Sequence, residues 1–413
     1  MAVQHRTIKP LEELCFEVRD DPCMIRLEDG QAELFGTELF PNRSYVLRNR
    51  AGALFSWQGA TISLKNLSSD PYTSSDSLMD QYLAFHAELE QKRDAAKIAN
   101  EPGPRVLIAG PMDSGKSTLT QILTSFAVRC GRTPAVIDLD VGQSHLSVPG
   151  TVSACVFDSP IDVESGFEGK DPLVYWLGHS SPSYNLSYYK QLVDLLSTTV
   201  DMRMEHDTSI LESGVFVNTC GWVDDAGLLI LKDIIEMLRI DIVVVIGSDS
   251  LRVKIERNSP NVDIRRFPIS SNVVQRSQES RTVYRQRKFQ QYFYGLNREL
   301  APDVFTLSFS QFKVYSVESS KMPSRLRPIG AQQVLDEIAI KLLSNDDLPA
   351  LRSTVLAVSY GTDETDVAES PVAGFVVVSN VRYSASEIDF TSPVPASQLP
   401  SLVFVSGKMQ WVD

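Results

Sequence analysis

Between residues 11 and 70 short apolar stretches alternate with turn residues. Cys23-Met-Ile-Arg-Leu, Ala32-Glu-Leu-Phe, Ser44-Tyr-Val-Leu and Ala60-Thr-Ile-Ser-Leu are each bounded by Gly, Asp-Gly, Pro-Asn or Ser-Asp, the pattern of half-buried strands joined by tight turns. A small antiparallel β domain is expected there. From Leu78 to about Asn100 the apolar positions take a helical spacing and the charge rises, until Pro102-Gly-Pro104 ends the run. Beyond Arg105 the texture changes to continuous apolar runs rich in β-branched residues. These are Val106-Leu-Ile-Ala, Ala135-Val-Ile, Val215-Phe-Val and Ile242-Val-Val-Val-Ile246, separated by helical stretches over 116–130, 187–203 and 226–239. Such strands, lacking a polar face and alternating with helices, predict a parallel sheet covered on both sides. After about Phe305 short strands return at Val355-Leu-Ala-Val-Ser, Ala373-Gly-Phe-Val-Val-Val-Ser and Leu402-Val-Phe-Val, with Pro- and Ser-rich turns between them.

The expected organisation is an N-terminal β domain with a linker helix over 1–99, an α/β domain over 100–304 and a smaller β-rich domain over 305–413. A chain of 413 residues is long enough for several such cores. Gly110-x4-Gly115-Lys116-Ser117 follows the strand Val106–Ala109 and precedes the amphipathic run Leu119, Ile122, Leu123, Phe126 and Ala127. That strand–loop–helix context is what a phosphate-binding P-loop requires. Glycines let backbone N–H groups curl around phosphates, and the helix N-terminus adds partial positive charge. Lys116 is expected to reach the β and γ oxygens and the Ser117 hydroxyl to ligate Mg²⁺. Asp113, Ser114, Gly115, Lys116, Ser117 and Thr118 are therefore assigned to the nucleotide, and the fold class is α/β, a P-loop NTPase-like parallel sheet flanked by two β-rich domains. No Asn-Lys-x-Asp segment follows the strand Ile242–Ile246, which disfavours a guanine-selective GTPase and favours ATP.

Composition narrows this further. A net charge of -13 argues against general polyanion binding, because counterion-release affinity needs many Lys and Arg along one path. Any nucleic-acid contact must be local. No apolar run reaches the ~20 residues of a membrane span, and no apolar stretch follows the N-terminal basic residue, so neither membrane insertion nor secretion is expected. Five scattered cysteines without a CxxC spacing read as reduced packing residues, and five dispersed histidines give a transition-metal cluster little support.

Three further features extend the site. The strand ending Asp138-Leu-Asp140 runs into Val141-Gly-Gln143, and an acid at a strand's carboxyl end can hold Mg²⁺ or its water, or take a proton from an attacking hydroxyl. Asp138 reads as a strand-edge cap and Asp140 as the functional acid. Trp222, in Thr219-Cys-Gly-Trp-Val-Asp224, follows the strand Val215–Asn218; it is either a core tryptophan or a platform for a nucleobase. The stretch Gln275–Lys288 concentrates positive charge in an acidic chain, and Arg276, Arg281 and Arg285 would share one broad helical face. It is either a solvated helix or a lid over phosphates.

Taken together, the motifs resemble a family. They are Phe35-Gly-Thr-Glu-Leu39, Phe55-Ser-Trp57, the Gly-Pro-x-Asp-x-Gly-Lys-Ser P-loop, Asp138-Leu-Asp-Val-Gly-Gln143, Val148-Pro-Gly-Thr151, Asn218-Thr-Cys-Gly-Trp222-Val, Tyr292-Phe-Tyr-Gly295 and Val372-Ala-Gly-Phe375. In this order they resemble the Clp family of RNA 5′-hydroxyl kinases and kinase-like subunits of the pre-mRNA cleavage and polyadenylation machinery. The resemblance implies a nuclear, three-domain, ATP-binding protein that joins a Pcf-type cleavage factor subunit and, in animal members, tRNA-splicing endonuclease, and that phosphorylates RNA bearing a 5′-hydroxyl. It also implies roles: Lys116 on the phosphates, Ser117 on Mg²⁺, Asp140 activating the RNA hydroxyl, Gln143 and Trp222 on the RNA, and Arg276 and Arg281 as lid arginines. Glu13 would read adenine, with Arg50 as its basic companion. Where the family pattern has Lys-Ser-Gly-Gly ahead of the lid, this chain has Ile269-Ser-Ser-Asn272.

Overall fold

Along the strand Cys23–Gly30, Cys23, Ile25 and Leu27 are buried and Met24, Arg26 and Glu28 exposed, the alternation of a strand with one face on a core. The computed structural model describes residues 3–19, 21–67, 69–167, 169, 171–320 and 337–412. Its N-terminal strands are β1 (Val3–Ile8), β2 (Glu12–Val18), β3 (Cys23–Gly30), β4 (Glu33–Leu34), β5 (Thr37–Glu38), β6 (Ser44–Leu47), β7 (Arg50–Ser56), β8 (Ala60–Lys65) and β9 (Tyr72–Ser74). They form two antiparallel sheets, β1-β8-β3-β6 and β5-β4-β7-β2-β9. Ile8, Ile25 and Ile62 from the first and Leu14, Leu34 and Leu54 from the second fill one apolar core, so the predicted β domain is a sandwich.

The elements that follow are α1 (Met79–Ala99), β10 (Arg105–Ala109), α2 (Lys116–Arg129), β11 (Ala135–Asp138), β12 (Thr151–Val156), β13 (Leu173–Trp176), α3 (Leu186–His206), α4 (Thr208–Ser213), β14 (Val215–Asn218), α5 (Asp225–Met237), β15 (Ile242–Ile246), α6 (Asp249–Asn258), β16 (Asp263–Phe267) and α7 (Gln278–Tyr294). β14, β10, β15 and β16 lie side by side and parallel. Every residue of β10, β14 and β15 is buried, which is why these strands read as unbroken apolar runs. β12 and β13 pair antiparallel instead, so the α/β region is mixed and not wholly parallel. Continuous apolarity reports burial on two faces and is silent about strand direction. β16, with Asp263, Arg265 and Arg266, carries no apolar run and was not legible from the pattern.

The chain divides into two units. The first comprises Met1–Ile137, Cys155–Lys170 and Asp201–Arg276, and the second Asp138–Ala154, Asp171–Val200 and Ser277–Asp413. In the first, the helix that follows the P-loop is packed on the N-terminal sandwich. Phe55, Met79, Ile122 and Phe126 share a core, and a Cβ at Gly36 would lie 2.9 Å from Ser125 Cβ and 3.1 Å from the Ile122 carbonyl oxygen. Gly36, at φ 81°, lets the β4–β5 hairpin approach α2 that closely. Arg129 of α2 donates to Glu33 at 2.7 Å and pairs with Glu38 on the same hairpin. The Phe35-Gly-Thr-Glu motif is thus a docking element for the P-loop helix.

Between α1 and α2, His86, Glu90 and Cys130 bring one ligand atom each within 4.8 Å of one another, although the histidines and cysteines are dispersed in sequence. Both Glu90 oxygens are already engaged, by Arg93 at 2.6 Å and Arg132 at 2.8 Å, so guanidiniums supply the positive charge here. Burial, with Arg93 assisting, lowers the pKa of His86 to about 4. The unfolded imidazole, near 6.5, therefore binds more protons than the folded one between those values, and stability is lost as pH falls through that window. Urea unfolding at pH 7 and pH 5 should show a loss of about 2 kcal/mol that His86→Gln removes. Equal pH dependence in the two proteins would show that His86 is not the source.

In the second unit, β17 (Asp303–Ser308), β18 (Lys313–Ser320), β19 (Glu337–Leu342), β20 (Val355–Ser359), β21 (Val372–Arg382), β22 (Glu387–Ser392) and β23 (Val403–Val405) form one sheet, ordered β17-β22-β21-β20-β23-β18-β19. Phe289 and Phe293 of α7 pack with Trp176, Phe375 and Trp411. The Tyr292 hydroxyl accepts the Phe375 N–H at 2.9 Å, and a Cβ at Gly374 would sit 3.0 Å from that hydroxyl. This contact accounts for the Tyr292-Phe-Tyr-Gly295 and Val372-Ala-Gly-Phe375 motifs as two halves of one packing site.

Candidate nucleotide site

The P-loop spans the turn from β10 to α2. A Cβ at Gly110 would fall 2.8 Å from both the Ile246 carbonyl oxygen and Ser114 Oγ, so only glycine admits this turn. Gly115 at φ 91° and Asp113 at φ 53° hold left-handed conformations, the kind of backbone strain that surrounding structure must over-determine. Gly115 N-caps α2 with no side-chain hydrogen bond, and a helix N-terminus of this kind is where backbone N–H groups and the helix dipole favour an anion. Lys116 is buried, with Nζ donating to the Pro111 carbonyl at 2.6 Å. Ser114 Oγ is buried without a hydrogen-bond partner, an unsatisfied hydroxyl that a phosphate oxygen would satisfy. Ser117 Oγ lies 3.5 Å from Asn218 Oδ1 at the end of β14. Oxygen ligands clustered at the start of α2 suit a hard cation such as Mg²⁺.

The loop after β14 lies against the P-loop. A Cβ at Gly221 would come within 2.4–2.6 Å of Met112 Cγ, N and Cα. Trp222, half-buried, covers the start of α5, since a Cβ at Gly227 would be 2.2 Å from the Trp222 carbonyl oxygen and 3.1 Å from its Cγ. Asp224 caps α5 through Gly227 N at 3.0 Å, and that bond, with the Trp222 indole hydrogen bond, holds its carboxyl below the usual range. Trp222 is therefore no core tryptophan. It stands on a helix N-terminus, in a loop seated on the P-loop. Gly221→Ala should push this loop off Met112 and weaken ATP binding about tenfold through displaced P-loop backbone, read by calorimetric titration. Unchanged affinity would mean that the loop and the P-loop move independently.

Glu13, on β2, is buried and accepts from Ser77 Oγ at 2.6 Å and from Asn272 Nδ2 at 2.8 Å. Arg50 is not its companion. The β2–β7 register sets Glu13 opposite Phe55 and Val18 opposite Arg50, which separates the two by about 17 Å along the strand. Arg50 instead donates to the Val163 carbonyl at 3.0 Å and lies over the Phe35 ring. Asn272 and Ser77 were missed by sequence reasoning; the departure at Ile269-Ser-Ser-Asn272 was the available signal. Arg276 is likewise not on the helix with Arg281 and Arg285. Ser277 caps α7 by accepting the Ser280 N–H, and the Arg276 N–H donates to Asp113 Oδ2 of the P-loop at 3.0 Å. Arg281 and Arg285 do share α7, and burial together with the Arg281 charge lowers the pKa of Arg285.

In the second unit, Asp138 is 1% exposed and accepts from Asp140 N at 3.1 Å and His145 N at 2.7 Å, the cap its position suggested. Asp140 is less buried, and its Oδ1 accepts from Gly142 N and Gln143 N at 3.0 and 3.1 Å. Two backbone donors on one oxygen fix the carboxylate's orientation.

Fold and loop together define a nucleotide-binding P-loop protein with a β-sandwich before its α/β region and a β-rich sheet after it. Three family models match in succession: the N-terminal beta-sandwich domain of polyadenylation factor over residues 7–96, the mRNA cleavage and polyadenylation factor CLP1 P-loop over 110–295, and pre-mRNA cleavage complex II protein Clp1 over 300–413. The chain belongs to the Clp1 family. It is 36% identical to a protein CLP1 homolog of Arabidopsis thaliana, covering 97% of this chain and 92% of that one. It is 37% identical, with the same coverage, to a polyribonucleotide 5′-hydroxyl-kinase Clp1 of Danio rerio. The structure of Clp1p in a wild-type Clp1p–Pcf11p complex has the same fold, with a TM-score of 0.87 at 21% identity over 100% of this chain and 99% of that one.

Proposed function

We propose that the chain is an ATP-dependent RNA 5′-hydroxyl kinase and a subunit of the nuclear pre-mRNA 3′-end cleavage and polyadenylation machinery. The observation that carries this reading is the P-loop, with buried Lys116 and unsatisfied Ser114 Oγ, in a chain that also keeps Asp140 oriented by two backbone N–H groups. ATP and Mg²⁺, when bound, supply the transferable phosphoryl group and its charge neutralisation. Lys116 holds the β and γ oxygens, with Asp113, Ser114, Gly115 and Thr118 completing the cradle, and Ser117 is the metal ligand. Glu13 reads the adenine amino group. Asp140 accepts the proton of the RNA 5′-hydroxyl, Gln143 and Trp222 hold the RNA end, and Arg276 and Arg281 offset charge developing on the phosphates. A Pcf-type cleavage factor subunit is the expected partner, as the Clp1p–Pcf11p complex suggests, and tRNA-splicing endonuclease a further one.

Ile269-Ser-Ser-Asn272, lacking the cation and glycines of the family pattern, favours one second reading: a silent scaffold in which ATP braces the chain by mass action. Incubation with γ-labelled ATP and a 5′-hydroxyl RNA oligonucleotide separates the two. Label on the RNA is the expected result, and its absence with tightly bound ATP would leave the scaffold.

A further inference from the structure

We propose that Asn272 is a positioning residue for ATP: its amide orients the Glu13 carboxylate and fastens the segment between β16 and α7 to the β2 strand that carries Glu13. The inference rests on Glu13 reading adenine, as proposed above.

The segment from Ile269 to Arg276 threads between three structures of the first unit. At its start, a Cβ on Gly247, just past β15, would fall 2.3 Å from Ile269 Cγ1. In its middle, Asn272 Nδ2 donates to Glu13 Oε2 at 2.8 Å, and Val273 Cγ2 lies 3.5 Å from where a Cβ on Gly115 would be. At its end the Arg276 N–H reaches Asp113 Oδ2 at 3.0 Å. One short stretch therefore touches the end of β15, the acid on β2 and the P-loop.

The chemistry of the Glu13 contact is specific. Ser77 Oγ holds one carboxylate oxygen at 2.6 Å and Asn272 the other. Both donors are neutral, so they orient the carboxyl group without bringing an opposite charge against it. An acid fixed in this way accepts from the exocyclic amino group of adenine and repels the carbonyl oxygen that guanine carries there. A glycine at 272 would have no amide to contribute, so this bond depends on the asparagine side chain. The Asn272 amide gives Glu13 a second anchor and so tightens the adenine wall of the site.

The test measures ATP and GTP affinities of the full chain by calorimetric titration, without turnover, for wild type, Glu13→Gln, Asn272→Ala, Asn272→Asp and the Glu13→Gln/Asn272→Ala pair. Asn272→Ala should weaken ATP roughly fivefold to tenfold and leave GTP unchanged, the size expected for a single typical hydrogen bond. Asn272→Asp, placing like charge on Glu13, should lose more. Combined with Glu13→Gln, the Ala variant should add little, because both act through one bond. An unchanged ATP-to-GTP ratio in Glu13→Gln would overturn the adenine reading itself. A collapsed ratio in Glu13→Gln with wild-type behaviour in both Asn272 variants would overturn the role of Asn272 alone. Equal loss of ATP and GTP in those variants would also overturn it, since a merely structural residue would act on both nucleotides.

Discussion

Lys116→Ala is expected to reduce phosphoryl transfer to an RNA 5′-hydroxyl by about a thousandfold and ATP affinity by at least about tenfold. The side chain is 6% exposed, and its ammonium donates to Pro111 within the loop itself. An ammonium held there is pre-positioned for phosphate oxygens, so little reorganisation is needed when they arrive. The substitution deletes one cation and leaves the glycine turns at Gly110 and Gly115 intact. Thermal melting of the nucleotide-free variant should stay within a few degrees of wild type. Lys116→Arg is the informative control: a planar fork does not reproduce a compact point charge, and it should recover binding better than turnover. Wild-type ATP affinity in Lys116→Ala would mean the triphosphate is held elsewhere.

Asp140→Asn should separate binding from chemistry. The two backbone N–H groups of Gly142 and Gln143 bond to Oδ1, and an asparagine carbonyl accepts the same pair, so the turn is preserved while charge and basicity are lost. Turnover should drop by about 10² to 10⁴, the range of general acid–base contributions, with ATP affinity nearly unchanged. Label transfer at the wild-type rate would remove the acid from the mechanism and leave Lys116 and the lid arginines to account for it. A parallel loss of ATP affinity would instead assign Asp140 to the metal.

How much of this was legible beforehand follows from the range of each interaction. Val106–Ala109, the P-loop and α2 are local: burial, glycine spacing and helix onset are all written within about two dozen residues. The same holds for the cap at Asp138, whose partners Asp140 and His145 are near in sequence. The Arg276–Arg285 face failed because the pattern could not see Ser277 capping α7 one residue past Arg276. Arg50 failed for a different reason. A β pairing register is a long-range quantity, and a shift of a few positions along β2 carries a side chain about 10 to 17 Å along the strand.

By itself the sequence determined that a triphosphate-binding turn sits between a buried strand and a helix, that a β-rich segment lies on either side of an α/β region, and that Asp140 and Trp222 follow strand ends. Those features depend on backbone conformation and periodic burial, which neighbouring residues dictate. Only the tertiary structure decided that Gly221 rests on Met112, that Glu33 and Glu38 grip Arg129 of α2, and that Asn272 meets Glu13 across 259 positions of chain. Contacts of that separation come from the packing of whole elements, and no local pattern encodes which side chains will meet.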